Sequence, residues 1–296
     1  MGSPKTEPGS KLRHLDGFLH LMELAGDEVP IPDYDYKEAE RLLKESGVGI
    51  LHAESAGRLV GVGGRCHYPA ALLQVEAGRL GVYELDVDGV GHVIKLDEDD
   101  PQNLTTLLGK VVGCRDLLTC QHIPRLKYIA YLESVRKWGL VMERLDGFTL
   151  RHPRFTEVFG EDLGPRYRAL AEIAVGLADL SARGYDYVDM HPENFMVTTT
   201  GRAYVIDYDD LSRMEPESKE ETDRQNRGAF LAEVAVPFLL NRRYYGRDVT
   251  RAELVSGNVD EGVVSLLLSD DHDWETVIRV FKRAWSELVV RDRKTT

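Results

Sequence analysis

The sequence predicts an α+β protein built as two lobes, an antiparallel β-sheet lobe first and a mainly helical lobe after it, preceded by an N-terminal extension. Three observations carry that expectation. Short β-prone runs with Gly and Asp at their turns crowd the first half. Apolar stripes at helical spacing fill the second. The change falls at one short segment, residues 143–147. A chain of 296 residues is long enough for one large domain or two smaller ones.

The elements follow in order. Residues 1–12 are polar and carry Pro and Gly, so they are expected as a disordered leader. Residues 13–70 read as the helical and β-rich extension. In it Leu15, Phe18, Leu19, Met22 and Leu24 recur at helical spacing, and Tyr36 to Glu45 reads as a second helix. Gly47 to Tyr68 is Gly-rich and β-prone, including Ile50-Leu51 and Leu59-Val60. Residues 71–146 form the expected sheet lobe. Leu72 to Val75, Leu80 to Val87 and His92 to Leu96 read as an antiparallel meander. A helix over Gln102 to Cys120 comes next, and then a strand pair at Leu126 to Leu132 and Leu140 to Glu143.

Residues 147–296 form the expected helical lobe. Tyr167 to Ala182 places Leu170, Ile173, Ala174, Leu177 and Leu180 on one face. Phe195 to Val197 and Ala203 to Ile206 are β-prone and flank a turn at Gly201, while 224–241 and 274–290 read as amphipathic helices.

Composition removes several classes of function. With 43% hydrophobic and 29% charged residues the chain is an ordinary globular protein. No apolar run approaches the roughly 20 residues of a membrane span, and no signal-peptide core opens the sequence. Cys66, Cys114 and Cys120 form no metal-spaced pair and leave an odd thiol, which points to a reducing, cytoplasmic setting. A formal net charge of −13 argues against a nucleic-acid partner. The acidic runs at Asp97 to Asp100 and Glu215 to Glu221 read either as solvated loops or as an attraction for a cationic substrate.

The segment with the most chemistry is Tyr187-Val188-Asp189-Met190-His191-Pro192-Glu193-Asn194, followed by Val205-Ile206-Asp207-Tyr208-Asp209. An acid and an amide five residues apart, with another acid thirteen further on, can converge on one Mg²⁺, which takes hard oxygen ligands. Phosphoryl transfer needs metal charge on the phosphates and a carboxylate that orients the attacking hydroxyl. Asp189 suits the second task, and Asn194 and Asp207 the first.

These residues resemble the protein kinase superfamily. Asp189 to Asn194 is similar to its catalytic loop, and Asp207-Tyr208-Asp209 to its metal-binding Asp-Phe-Gly. His92-Val93-Ile94-Lys95 resembles the strand whose lysine pairs the phosphates, and Gly78 to Tyr83 the end of a glycine-rich phosphate loop. Gly61-Val62-Gly63-Gly64, further from Lys95, is read as a turn. Val141-Met142-Glu143-Arg144-Leu145-Asp146-Gly147 resembles the hinge between lobes, and Asp223 to Gly228 the helix that anchors the catalytic loop.

The resemblance, which runs from Leu72 to Leu240, implies an ATP-dependent kinase with a bilobal protein-kinase-like fold. Its cofactors would be ATP and Mg²⁺, and its substrate a hydroxyl-bearing protein or small molecule. Asp189 is the implied catalytic residue, and Asn194 and Asp207 the metal ligands. Lys95, Gly78 and Gly81 are implied at the phosphates, and Met142, Glu143 and Leu145 at the adenine. Asp116 is the nearest acid to a helix partner for Lys95. His191 stands where Ser/Thr kinases carry lysine and is counted with the nucleotide-binding residues.

The departures divide the family. Tyr187-Val188 replaces the usual His-Arg, and only fifteen residues separate Asp207 from Asp223, with no Ala-Pro-Glu. Control by a phosphorylated activation loop is therefore not expected. His191 and Asp209 resemble the aminoglycoside and choline phosphotransferases. The Glu143 to Asp189 interval matches protein kinases instead and points to an atypical one. A reduced glycine loop without the partner Glu also resembles ATP-binding pseudokinases.

Overall fold

The computed structural model describes residues 12–15, 35–53, 60–61, 81–96, 104–133, 137–152, 154–159, 162–206, 211–241, 249–269 and 272–295. The chain divides into two compact units, residues 1–119 with 124–144, and residues 120–123 with 145–296. The division at 144/145 falls inside the segment expected as the hinge.

The first unit is built on one seven-stranded sheet. Its strands are β1 (Leu12–Leu15), β2 (Gly49–Ala53), β3 (Val60–Gly61), β4 (Gly81–Val87), β5 (Val90–Leu96), β6 (Leu126–Leu132) and β7 (Lys137–Glu143), in the order β1-β2-β6-β7-β5-β4-β3. All neighbours are antiparallel except β2 and β6, which run parallel. Asp88 and Gly89 close the β4–β5 hairpin, with φ of 53° and 80°. A two-residue turn with both φ positive matches the twist of its strands, and Gly and Asp adopt it at low cost. The Asp86 carboxylate accepts the Gly89 N–H at 2.9 Å. Leu85, Val87, Ile94, Leu96, Ala130 and Leu132 alternate along their strands and, with Leu51 and Val141, form a buried cluster.

Helix α1 (Tyr36–Glu45) spans the expected residues, capped by the Asp35 side chain on the Glu38 N–H and burying Tyr36, Ala39 and Leu43. Leu15 departs from expectation. It ends strand β1, opposite Ile50, because pairing with β2 outweighs the local helical spacing. Phe18 to Leu24 and Leu72 to Val75 lie outside the described residues, as does the leader except Leu12, which opens β1. β1 and β2, read within the extension, are strands of the same sheet as β4 to β7. The helix expected over Gln102 to Cys120 is α2 (Leu104–Gly113) followed by a 3₁₀ turn, Arg115–Thr119. Gly113 ends α2, and the Leu117 N–H then bonds the Cys114 carbonyl at 2.9 Å, the tighter spacing that buries Leu117.

In the second unit β8 (Gly147–Thr149) comes first, where a helix was expected. Gly147 has no side chain, and a Cβ there would meet the Val197 backbone, so the strand can lie against its neighbour. Helix α3 (Arg154–Phe159) leads to α4 (Leu163–Ala182), in which Leu170, Ile173, Ala174, Leu177 and Leu180 are all buried as the spacing predicts. After α4 come β9 (Tyr185–Tyr187), β10 (Phe195–Thr198), β11 (Ala203–Val205) and β12 (Leu211–Arg213). β10 lies between β11 and β8, and β12 pairs with β9. Gly201 turns β10 into β11 with φ of +82°.

The helix expected over 224–241 starts earlier, as α5 (Lys219–Ala229). It passes through a π-helical turn, Phe230–Ala235, into α6 (Val236–Leu239). The wider turn keeps Phe230, Leu231, Val234 and Ala235 buried ahead of Pro237, which offers no amide to the helix. Helices α7 (Arg251–Ser256), α8 (Glu261–Leu267) and α9 (Trp274–Thr295) complete the unit, and Phe281 of α9 lies 6.4 Å from Tyr167 of α4.

Candidate active site

The loop from Val188 to His191 joins β9 to a short 3₁₀ turn, Pro192–Asn194, which runs straight into β10. Buried side chains hold it in place. Tyr187 and Phe195 are 1% and 0% exposed with ring centroids 5.7 Å apart, and Met190 and Pro192 are also buried. Between them Asp189 is left exposed.

Backbone and side-chain hydrogen bonds then fix the turn. The His191 N–H donates to the Asp189 carbonyl at 2.8 Å, and the Asn194 N–H to the His191 carbonyl at 2.8 Å. His191 Nδ1 accepts the Glu193 N–H at 3.2 Å, so this ring caps the turn. The Asn194 amide nitrogen donates to Asp189 twice, to its carbonyl at 3.1 Å and to carboxylate Oδ2 at 2.5 Å. These two bonds use neither Asn194 Oδ1 nor Asp189 Oδ1, and hard oxygens of this kind fit Mg²⁺. Beyond the turn, the Ile206 N–H donates to the Asn194 carbonyl at 3.0 Å, which ties the end of β11 to this loop. Asp207, the next residue, lies outside the described residues.

Some residues here carried no sequence signal. Arg151, two residues after β8, reaches Glu193 at 3.5 Å because β8 pairs with β10. A single arginine after an unrecognised three-residue strand has no pattern to reveal it. Val188, where kinases carry arginine, is 69% exposed. Asp223, in α5, holds two donors of its own unit: its Oδ1 accepts Trp274 Nε1 and its Oδ2 accepts Arg227 Nη1, both at 2.7 Å.

The remaining candidates, apart from Leu145, belong to the first unit. Lys95 sits in β5 opposite Val82 and Leu140, on the face away from Ile94 and Leu96, and is 8% exposed. Gly81 opens β4 opposite Leu96, and Gly78 lies outside the described residues. The reading of Gly61 as part of a plain turn is corrected, since it is a β3 residue opposite Tyr83. The connection between β3 and β4 therefore contains both Gly63-Gly64 and Gly78. Asp116 lies in the 3₁₀ turn beyond α2, where its carbonyl accepts the Thr119 hydroxyl at 3.0 Å.

Met142 is buried in β7 opposite Val93. Glu143 grips Arg125 from both ends, its N–H donating to the Arg125 carbonyl at 2.9 Å and its Oε1 accepting the Arg125 N–H at 3.0 Å. Leu145, half-buried, begins the second unit. Among the described residues no cluster of three or more His, Cys, Asp or Glu is placed to hold a metal, and no helix is long and apolar enough to cross a membrane.

No family model matches the chain. Over 159 residues it is 27% identical to the probable cAMP-dependent protein kinase catalytic subunit of Encephalitozoon cuniculi (strain GB-M1). That stretch covers 51% of this chain and 44% of the relative, so the match spans less than half of the relative's length. The similarity, with the mixed α+β content, suggests the protein-kinase-like superfamily.

Proposed function

We propose that this chain transfers the γ-phosphoryl group of Mg-ATP to a hydroxyl, as an atypical protein kinase. The observation that carries this reading is the double hydrogen bond from the Asn194 amide to Asp189. It fixes a carboxylate that can orient the attacking hydroxyl and take its proton, and it presents an amide oxygen for the cation. Mg²⁺ would supply positive charge on the phosphates. Asp189 receives the proton as the hydroxyl oxygen bonds to phosphorus, and the bond from phosphorus to the β–γ bridging oxygen breaks to release ADP. Asn194 and Asp207 are assigned to the cation, Lys95 to the phosphates, and Met142, Glu143 and Leu145 to the adenine.

The kinase named by the relative supports a protein acceptor. A second reading, a small-molecule kinase of the aminoglycoside or choline type, is favoured by one observation: only Met214 to Ser218 separates β12 from α5, leaving little chain to dock a peptide.

The test is transfer of labelled γ-phosphate from ATP in a cell extract, with protein and small-molecule fractions separated and Asp189→Ala as control. Label in the protein fraction that vanishes in the control supports the first reading, and label in the small-molecule fraction the second. Mg-ATP binding with no Asp189-dependent label in either fraction would replace both with a nucleotide-binding pseudokinase.

A further inference from the structure

A cleft of about 1070 Å³ lies between the start of α4 and the C-terminal half of α9, and the described residues that line it all belong to the second unit. Its size is at the upper end of small-molecule sites, about 300–1,000 Å³. Asp189, His191 and Asn194 do not line it.

The lining has two characters. Leu240, Trp285, Leu288 and Val289 supply an apolar wall. Three guanidinium groups, Arg166, Arg168 and Arg291, face one carboxylate, Asp162, among the described residues of the lining. In a chain of net charge −13 this is a local reversal of sign.

Two of the arginines are built in. Arg166 is 5% exposed, with Nη1 donating to the Phe238 carbonyl at 2.5 Å and its guanidinium 5.4 Å from the Phe238 ring centre. Arg168 donates to the Thr200 carbonyl at 3.0 Å and lies 5.3 Å from the Trp285 ring centre. It lies where a side chain at Gly201 would be, since a Cβ there would sit 2.5 Å from its Cζ. Two lining residues, Asn241 and Asn258, hold positive φ of 51° and 56° and place amides beside the arginines' cleft.

We infer that this cleft binds an amphipathic anion, a carboxylate, sulfonate or phosphate carried on an apolar body. Guanidinium forks suit planar or tetrahedral anions, and fixed, ring-stacked arginines lose little freedom in holding one. The apolar body takes the Trp285 and Leu288 wall. A free inorganic anion would leave that wall wet, and a neutral hydrocarbon would make no use of the guanidinium donors.

The test uses the full chain and two fluorescent probes that differ by one sulfonate, 8-anilinonaphthalene-1-sulfonate and N-phenyl-1-naphthylamine. The sulfonate should bind saturably and about tenfold more tightly than the neutral probe. Leu288→Trp, which fills the cleft, should weaken the sulfonate at least about tenfold. Arg291→Met, at an exposed position that tolerates change, should weaken the sulfonate about fivefold and spare the neutral probe. Equal binding of the two probes would overturn the inference. So would sulfonate binding that Mg-ATP displaces and that neither substitution alters. Neither readout depends on phosphotransfer, so the two proposals fail separately.

Discussion

The side-chain amide of Asn194 reaches Asp189 at both its carbonyl, 3.1 Å, and its carboxylate, 2.5 Å. One side chain thereby orients the acid while its own oxygen takes no part in either bond. Asp189→Asn should lower the transfer rate by about 10²–10⁴-fold, the usual contribution of a positioned general base. Asn194→Ala should lower it too and also raise the Mg²⁺ concentration for half-maximal rate. Rates measured across a Mg²⁺ series decide this, and an unchanged Mg²⁺ requirement would remove Asn194 from the metal.

Cys120 should be inert in the folded protein. Burial, with the Asp179 carboxylate accepting its S–H at 3.2 Å, pushes its thiol up to about 11 from an ordinary 9.0. The folded state therefore favours the protonated thiol, and its contribution is full below pH 9.0 and lost as pH rises towards 11. A thiol reagent at about pH 8 should label the half-buried Cys114 well before Cys120. Urea midpoints should fall between those pH values in the parent and fall less in Cys120→Ala. Tyr167, pushed up to about 12 by burial, should add a further loss from pH 10.0 upwards in both proteins.

At acid pH the partner carboxylate is exposed to the opposite change. Burial works against ionised Asp179, but the hydrogen bonds from Arg183 and Cys120 outweigh it and hold its carboxyl below the usual range. Its contribution is present above the ordinary value of 3.8 and disappears as pH falls through the lower folded value. Asp179→Asn should therefore flatten the acid limb of the stability profile. An unchanged limb would assign that limb to other carboxylates.

Trp274 is 7% exposed and its indole N–H holds Asp223 at 2.7 Å. Trp274→Phe keeps a tilted ring contact with Phe230 but leaves a half-buried carboxylate oxygen short of a donor. Urea unfolding should show a loss of about 1–3 kcal/mol. A loss below about 0.5 kcal/mol would mean that solvent replaces the indole.

Gly147→Ala should destabilise the second unit by about 1–3 kcal/mol, because its Cβ would meet the Val197 backbone, which cannot swing aside as a side-chain tip can. Thermal unfolding of the variant checks this directly.

What the sequence made legible was local. Tyr36–Glu45 and Leu126–Leu132 were placed to the residue, and the α4 face and the Gly201 turn followed from spacing and turn chemistry. What escaped was decided by distant partners. The parallel pairing of Ile50 with Ile129 leaves no trace in either segment alone, and it drew Leu15 into a strand through β2. β9 and β12 are three residues each, too short for a period to show. At the site, Asp189 and Asn194 were legible as a spaced pair. The Arg151–Glu193 contact needed the fold of β8 against β10, whereas the His191 cap is a local contact two residues apart that no spacing pattern marks.

Four residues, Cys120–Ile123, belong to the second unit although the chain on both sides of them belongs to the first. Their bonds are specific: the His122 carbonyl accepts the Val205 N–H at 2.8 Å, and Arg202 donates to Gln121. Dissection at 144/145 would therefore yield two damaged fragments. One would carry a tetrapeptide stripped of its acceptor role and a thiol parted from Asp179. The other would have an exposed β11 amide and no surrogate for the missing segment. Gene truncation, split reporters and limited proteolysis at that junction all meet the same obstacle, an interleaved chain whose halves are not inherited separately.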